Sequence, residues 1–553
     1  MMNRNGSNEN RKQNHGKRPA FILTLALLSV LAALVAFSSC SGGGSGEKSG
    51  TEGTSSVPKS DPYVNLPSTP AEIDALIGSI GKASVDKTDE IDRAFYAWSL
   101  LSESDREAVT KIDELRSLRS ELQKKYIVKE YANSRVRHDK FLLGACVVYS
   151  CDEAHIAKLD EAGIDFVWPA TVTPDSMALF EKYGIGVIGS MGQAGLPGWR
   201  GDFRKDPAVP QNPITEEDVR GMINPAAFAD YPALWGFDLG DEPNMNEFEC
   251  LGILAGVCHE SRPDLMVYCN LFPNYASDVQ LGTKFYNTYI SKFAKQVGSD
   301  VICFDHYYEA HSLLDTLENM RIVTEAAAKN GRDFWDIIQV NRSQEEYPVI
   351  SADMMRYQAY LSMAYGCKSV MWACWDNGWW YGNVLDSAGN FTEVYDLVKT
   401  VDAELEAMEP VYMRYTGSSA ALLLGKSARV RDGIDTYYEP GESNALSDHV
   451  RSHGFKKLGK TSLSELKCSD DSFVVAGYLK KNIGEGDAFL FINSTDKLFL
   501  DPELKPAKVT FSTVDPSSVV VSYVKGVPTR LTPVDGTYTV EIVGADAVLV
   551  TVD

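Results

Sequence analysis

Two adjacent acids close an apolar run in Gly236-Phe237-Asp238-Leu239-Gly240-Asp241-Glu242-Pro243-Asn244. A carboxylate that leaves water costs several kcal/mol unless it is paired or protonated, so acids at the end of a buried strand are kept where a reaction needs them. Their structural alternative is to cap a helix, since acids just before Pro243 suit a helix N-terminus. A further acid, Asp305, breaks the apolar run Val301 to Tyr307 within Cys303-Phe304-Asp305-His306-Tyr307-Tyr308. Two carboxyl groups that differ in pKa, one donating a proton and one acting as nucleophile or base, are the machinery that cleaves glycosidic bonds. Glu242 fits the proton donor, with Asp241 beside it. Asp305 ranks first as the second carboxylate, and Glu345, Glu346 and Asp376 are the alternatives. Asp305 has a second reading, in which it only orients Tyr307, Tyr308 or a substrate hydroxyl.

Sugar rings carry apolar C–H faces that lie on aromatic side chains, while their hydroxyls need polar partners at the edge. Aromatics crowd Trp372-Ala373-Cys374-Trp375-Asp376-Asn377-Gly378-Trp379-Trp380-Tyr381, and Trp168, Tyr307 and Tyr308 follow other apolar runs. Trp372 reads as core. Trp379 and Trp380 follow Gly378 in an expected loop, and exposed apolar surface of that kind marks a binding site. The expected substrate-binding set is Trp168, Asn270, Tyr307, Tyr308, Trp375, Asp376, Trp379 and Trp380, with Trp235 a lesser candidate.

The elements that must position these groups follow from rhythm. Eight short apolar runs alternate with helical stretches: Phe141 to Tyr149, Ile164 to Pro169, Ile185 to Met191, Leu234 to Leu239, Leu265 to Asn270, Val301 to Tyr307, Phe334 to Val340, and Ser369 to Trp375. Eight such units in roughly 270 residues predict a (β/α)8 TIM barrel, whose chemistry sits at the C-terminal ends of its strands. The rival, a doubly wound open sheet, would show a glycine-rich phosphate turn after an early strand, and none is present. Helices are predicted at Ala71 to Ile80, Lys87 to Ser99 and Ser102 to Tyr126, the last broken near Lys111 to Asp113. After Pro410 the helical signal stops, and alternating strands separated by turn residues predict a β-sandwich, which either binds sugar or stabilises the barrel. The expected division is 1–39 leader, 40–62 spacer, 63–130 helical module, 131–410 barrel and 411–553 sandwich.

With Glu242 at the end of the fourth run, next to a polar residue and before Pro243, the sequence resembles the (β/α)8 glycoside hydrolases of the clan A type, closest in flavour to the family 42, β-galactosidase-like group. The likeness spans about residues 140 to 410 and includes Trp375-Asp376, Asp386-Ser387-Ala388-Gly389-Asn390 and the helix Tyr395 to Leu405. It implies that Glu242 is the acid/base, with Asp241 where many members carry Asn. It also implies a nucleophilic Glu at the end of the seventh strand, but that strand reads Asp336-Ile337-Ile338-Gln339-Val340-Asn341-Arg342. The segment around Ala94 to Ser102 resembles small helical spacer modules of surface carbohydrate enzymes, whose bland reading is a stalk.

A basic stretch before the apolar run Ala20 to Phe37 reads as a signal peptide, and Phe37-Ser38-Ser39-Cys40 resembles a bacterial lipobox with Cys40 as lipid acceptor. The alternative, an uncleaved membrane helix, also exports the rest of the chain. Ser41 to Ser56 is a flexible Ser/Gly-rich spacer. The 553 residues carry a net charge of -23, which argues against nucleic acid as a partner, because a phosphate backbone rewards Lys and Arg clusters. The ten cysteines are spread thinly, and Cys146, Cys269, Cys303 and Cys374 fall in strand-like runs, where a thiol packs as a small hydrophobe. No CxxC, HxH or HExxH spacing occurs, so neither metal nor organic cofactor is expected. The first strand also lacks the His pair of a metal-dependent amidohydrolase. The leading expectation is hydrolysis of an extracellular oligo- or polysaccharide. Its rival is a carbohydrate-binding lipoprotein in which loss of the seventh-strand Glu has ended catalysis.

Overall fold

Each of the eight apolar runs becomes a parallel strand because both of its faces are covered, one by the barrel interior and one by helices. In the computed structural model the described residues are 61–133, 135–170, 172–190, 215–217, 231–307, 313–425, 427–431, 434–438, 460–469, 472–494 and 506–553. The apolar leader, Cys40, the spacer and Tyr308 lie outside them. Strands β1 (Leu142–Val148), β2 (Phe166–Ala170), β3 (Gly186–Ser190), β4 (Leu234–Asp241), β5 (Met266–Leu271), β6 (Val301–Asp305), β7 (Asp333–Gln339) and β8 (Ser369–Ala373) close in chain order, and β1 pairs with β8 through Leu142 opposite Ser369. The expected (β/α)8 barrel is therefore the observed one.

Phe166, Trp235, Met266, Tyr268, Trp335 and Met371 fill the barrel interior. Rings of this size fit only where the facing wall lacks a side chain: a Cβ on Gly186 would lie 2.1 Å from the Trp235 ring. Trp235 is thus core packing. Cys146, Cys269, Cys303 and Cys374 are buried free thiols, as their strand positions suggest. Outside, the described helices include Glu153–Glu161, Pro174–Tyr183, Phe248–Ser261, Tyr286–Gln296, Leu313–Lys329, Ala352–Ala364 and Glu393–Tyr412. Short polar caps start several of them, among them Asp152, Thr173 and Ser351. The last helix runs two residues past Pro410, further than the sequence signal indicates.

Ahead of the barrel, helices Pro70–Ile80, Thr88–Ser99, Glu103–Glu107 and Ile112–Lys125 share a small core around Ile73, Ile77, Ile91 and Leu115. Behind it, a three-stranded sheet (Leu463–Cys468, Ala507–Thr513, Tyr538–Ile542) faces a six-stranded one that includes Tyr415–Gly425, Phe473–Lys481, Asp487–Asn493 and Ala547–Val552. Phe489, Phe491, Val509 and Phe511 pack between the sheets. The other face of the larger sheet, with Val475, Leu490 and Leu549, joins the barrel's outer core. That contact is close: a Cβ on Gly477 would meet the Ala364 backbone at 2.4 Å.

One ion pair ties the helical module to the barrel's exit. Arg414 donates from Nη1 and Nη2 to the two oxygens of Asp92 at 2.6 and 2.8 Å, with both side chains largely buried. Burial alone would raise the Asp92 carboxyl, but the Arg414 guanidinium outweighs it and holds the group below its ordinary range. Asp92→Ala is expected to strand the Arg414 charge and destabilise the protein by about 3–5 kcal/mol in urea denaturation. A loss under about 1 kcal/mol would mean that the pair behaves like an exposed one.

Candidate active site

The acids at the end of β4 reach one cavity because the strand is bulged. Asp238 pairs with Tyr268 on β5 but Asp241 pairs with Asn270, so three steps on β4 span two on β5. Gly240 takes φ +135° and Glu242 φ +48°. Without this irregularity neighbouring residues would point to opposite faces of the barrel wall. With it, Asp238, Asp241 and Glu242 all line a cavity of about 530 Å³ at the C-terminal end of the barrel. Asp241 and Glu242 do not cap the following helix, since Asn244 does that by accepting from the Asn246 backbone N–H.

The side chain of Asn270 organises the acids. Its Nδ2 donates to Asp241 Oδ1 and to Asp305 Oδ1, each at 3.0 Å, while its backbone carbonyl accepts from the Glu242 N–H at 3.0 Å. Asp305 also accepts from Tyr307. Burial first, then the charges of Asp305 and Asp241, push the Glu242 carboxyl well above the ordinary carboxylate range. Burial and Asp241 push Asp305 up as well, against the hydrogen bonds from Asn270 and Tyr307. Each therefore keeps its proton to a higher pH than an isolated carboxylate would. Asp238 completes the acidic floor and accepts from the Gly240 N–H at 2.8 Å.

Aromatic side chains wall this floor. Tyr307 meets Trp380 edge to face at 4.8 Å and Trp379 at 6.3 Å, and Trp168 packs on Tyr268. The Trp379 loop after β8 is held to the loop after β7, because Asn341 Nδ2 donates to the Trp379 carbonyl at 2.9 Å and Arg342 pairs its backbone with Tyr381. Trp379 remains 40% exposed, and Trp380 and Val147, both lining residues, have φ +67° and +62°. Left-handed backbone at three non-glycine lining residues, Glu242 among them, is strain of the kind that clusters at functional sites. Trp168 Nε1 and Asn270 Oδ1 are buried without a hydrogen-bond partner among the described residues. Both atoms are closed to solvent, so their unmade hydrogen bonds are a cost that the packing around the site carries.

The cavity thus gathers Glu242, Asp241, Asp305, Trp168, Asn270, Tyr307, Trp379 and Trp380 from the residues singled out in the sequence. It does not gather Trp375, which is buried in the outer core against Tyr395. Nor does it gather Asp376, whose carboxylate is occupied by the Tyr149 and Ser150 N–H groups at 2.7 and 3.1 Å and by the Ser150 hydroxyl, stitching the β8 loop to the β1 loop. Glu345 and Glu346 are exposed on the β7 loop, and neither lines the cavity. The inward residue that β7 does contribute is Ile337. Asp238 and Tyr275 are lining residues that the sequence reading passed over. Asp238 could have been found as a third acid in the same apolar run, whereas nothing near Tyr275 in the sequence points to the site.

No family model matches the chain, and no curated protein matches it. Solved structures that resemble it include several glycosidases. One is the α-L-fucosidase isoenzyme 2 of Paenibacillus thiaminolyticus, with 9% identity, 74% of this chain and 99% of that one covered, and a TM-score of 0.44. Another is an Anoxybacillus α-amylase, with 10% identity, 76% and 99% covered, and a TM-score of 0.41. A third is the β-galactosidase of the psychrophilic Marinomonas ef1, with 12% identity and a TM-score of 0.34 over 48% of this chain. The chain spans 60% of the length of that β-galactosidase.

A carboxyl that binds its proton more tightly in the folded state stabilises the fold at low pH, and that contribution is lost as pH rises through the folded pKa. The loss runs from the ordinary carboxylate range up to about pH 8 for Glu242 and about pH 7 for Asp305. Asp305→Asn removes one such group and lowers the other, so its stability relative to the unaltered protein is expected to climb between about pH 5 and pH 8. Thermal denaturation across that range reads the difference, and a flat difference would contradict the assignment.

Proposed function

We propose that this chain is a glycosidase acting on extracellular oligo- or polysaccharide, with Glu242 as proton donor and Asp305 as second carboxylate. The observation that carries the reading is the Asn270 side chain holding Asp241 and Asp305 beside a proton-retaining Glu242, on the floor of an aromatic-walled cavity of a size usual for small-molecule sites. Glu242 gives its proton to the glycosidic oxygen as the C–O bond breaks and its electron pair leaves with that oxygen. Asp305 and Asp241 carry the negative charge that faces the electron-poor anomeric carbon; water adds its oxygen to that carbon and gives up a proton to the carboxylates, which restores the one that Glu242 donated. Trp379, Trp380 and Tyr307 offer ring faces to the sugar, and Asp238 and Tyr275 add polar groups to the same lining. Of the family 42 likeness, only the fourth-strand acid is carried over, and the second carboxylate is moved from β7 to β6.

The rival, a sugar-binding protein without catalysis, is favoured by one observation: apolar Ile337 faces the cavity from β7, where the resemblance implies a carboxylate. A panel of aryl glycosides and natural glycans separates the two. Glu242→Gln is expected to lower kcat/KM by about 10²–10⁴-fold on the substrates that are cleaved, while glycan binding persists. Binding by both proteins with cleavage by neither would establish the rival.

The basic-apolar leader and Phe37-Ser38-Ser39-Cys40 support a location as well: export, with a lipid on Cys40 holding the enzyme at a membrane. Labelled fatty acid is expected to enter the full chain in a bacterial host and to be lost in Cys40→Ser. Equal labelling of both would place the anchor elsewhere.

A further inference from the structure

A second cavity, of about 200 Å³, lies at the opposite end of the barrel from the acidic one, and its lining is cationic. Arg332 immediately precedes β7, Lys368 immediately precedes β8, and Lys129 comes from the segment that leads from the helical module into the barrel. Thr416 and Asn482 close the side next to the six-stranded sheet.

Three cations meet here with one lining carboxylate, in a chain whose net charge is -23. That carboxylate, Asp333, is already bonded to Lys129 at 2.7 Å. Asp300, the acid whose charge acts on Arg332, is engaged by His259 and by the Val267 N–H. Lys368 forms no ion pair among the described residues: its Nζ donates to the Tyr415 carbonyl at 3.3 Å and lies 5.2 Å from the centre of the Tyr412 ring. Nη1 of Arg332 is shut off from solvent and has no hydrogen-bond partner among the described residues. Burial lowers the pKa of both side chains by more than the charges of Asp300 and Asp333 raise them. A half-buried guanidinium with one nitrogen closed off and unpaired is costly, and a planar fork of N–H donors lining the same cavity as an ammonium is a donor set that oxyanions select.

The geometry points to this cavity as a binding site for a small, doubly charged oxyanion, phosphate or sulfate, gripped by Arg332 and Lys368 with Lys129 at its mouth. The site is independent of the acidic cavity and of the reaction proposed there. An anion here would neutralise the two unpaired cations and tie the starts of β7 and β8 to the carboxyl-terminal sheet through Lys368 and Tyr415.

Calorimetric titration of the full-length protein in a low-salt chloride buffer, with inorganic phosphate and with sulfate in separate arms, tests this. Saturable binding of one equivalent is expected in at least one arm, weakened at least tenfold in Arg332→Gln and in Lys368→Met. A thermal scan guards against misfolding. Without added oxyanion, Lys368→Met is expected to melt no lower than the unaltered protein, because it removes an uncompensated charge, and the bound anion should raise the melting temperature of the unaltered protein only. Absence of saturable binding in both arms, or undiminished affinity in both variants, would overturn the proposal.

Discussion

The site depends on one amide. Asn270 stands at the end of β5 and donates both hydrogens of a single Nδ2 to carboxylates that would otherwise repel each other, Asp241 and Asp305. Its backbone carbonyl fixes the Glu242 N–H at the same level. Three acids can therefore be crowded at the mouth of a buried barrel without flying apart, and the residual repulsion is expressed as proton affinity. The electrostatics that make Glu242 a candidate acid are those that make the cluster costly to fold, and they are tolerated because the barrel beneath is so completely packed.

That packing sets the geometry above it. Large rings inside the barrel, with glycine opposite where Trp235 crosses β3, leave no freedom for the strands to slide, so the bulge in β4 is held in register with Asn270. The loops after β7 and β8 are bound to each other through Asn341 and Arg342, and the β8 loop to the β1 loop through Asp376. The aromatic wall thus stands on a framework. At the far end the carboxyl-terminal sheet and the helical module clamp the barrel, the first through Gly477 on the helix Ala352–Ala364, the second through Asp92 and Arg414.

The barrel strands were legible because each is apolar on both faces, which writes a run of β-branched and aromatic residues into the chain regardless of tertiary detail. The site was only partly legible. Asp241 and Glu242 announce themselves as acids in such a run, but the bulge that turns both inward, together with Asp238, is a property of pairing with β5 and has no local signature beyond Gly240. Trp375 and Asp376 follow β8 in an aromatic run and look free to meet a sugar, yet Trp375 packs outward on Tyr395 and Asp376 is spent on the backbone amides of the β1 loop. The strand Tyr415–Gly425 has little local signature, because Gly417, Ser418 and Ser419 interrupt its alternation.

The central claim is that Glu242 holds its proton near neutral pH because burial and the Asp305 and Asp241 charges surround it. Infrared difference spectroscopy of the unaltered protein against Glu242→Gln, at neutral pH, observes that proton directly. The account predicts the carbonyl stretch of a protonated carboxyl in the unaltered protein, absent from the variant. A difference spectrum showing only ionised carboxylate would contradict it.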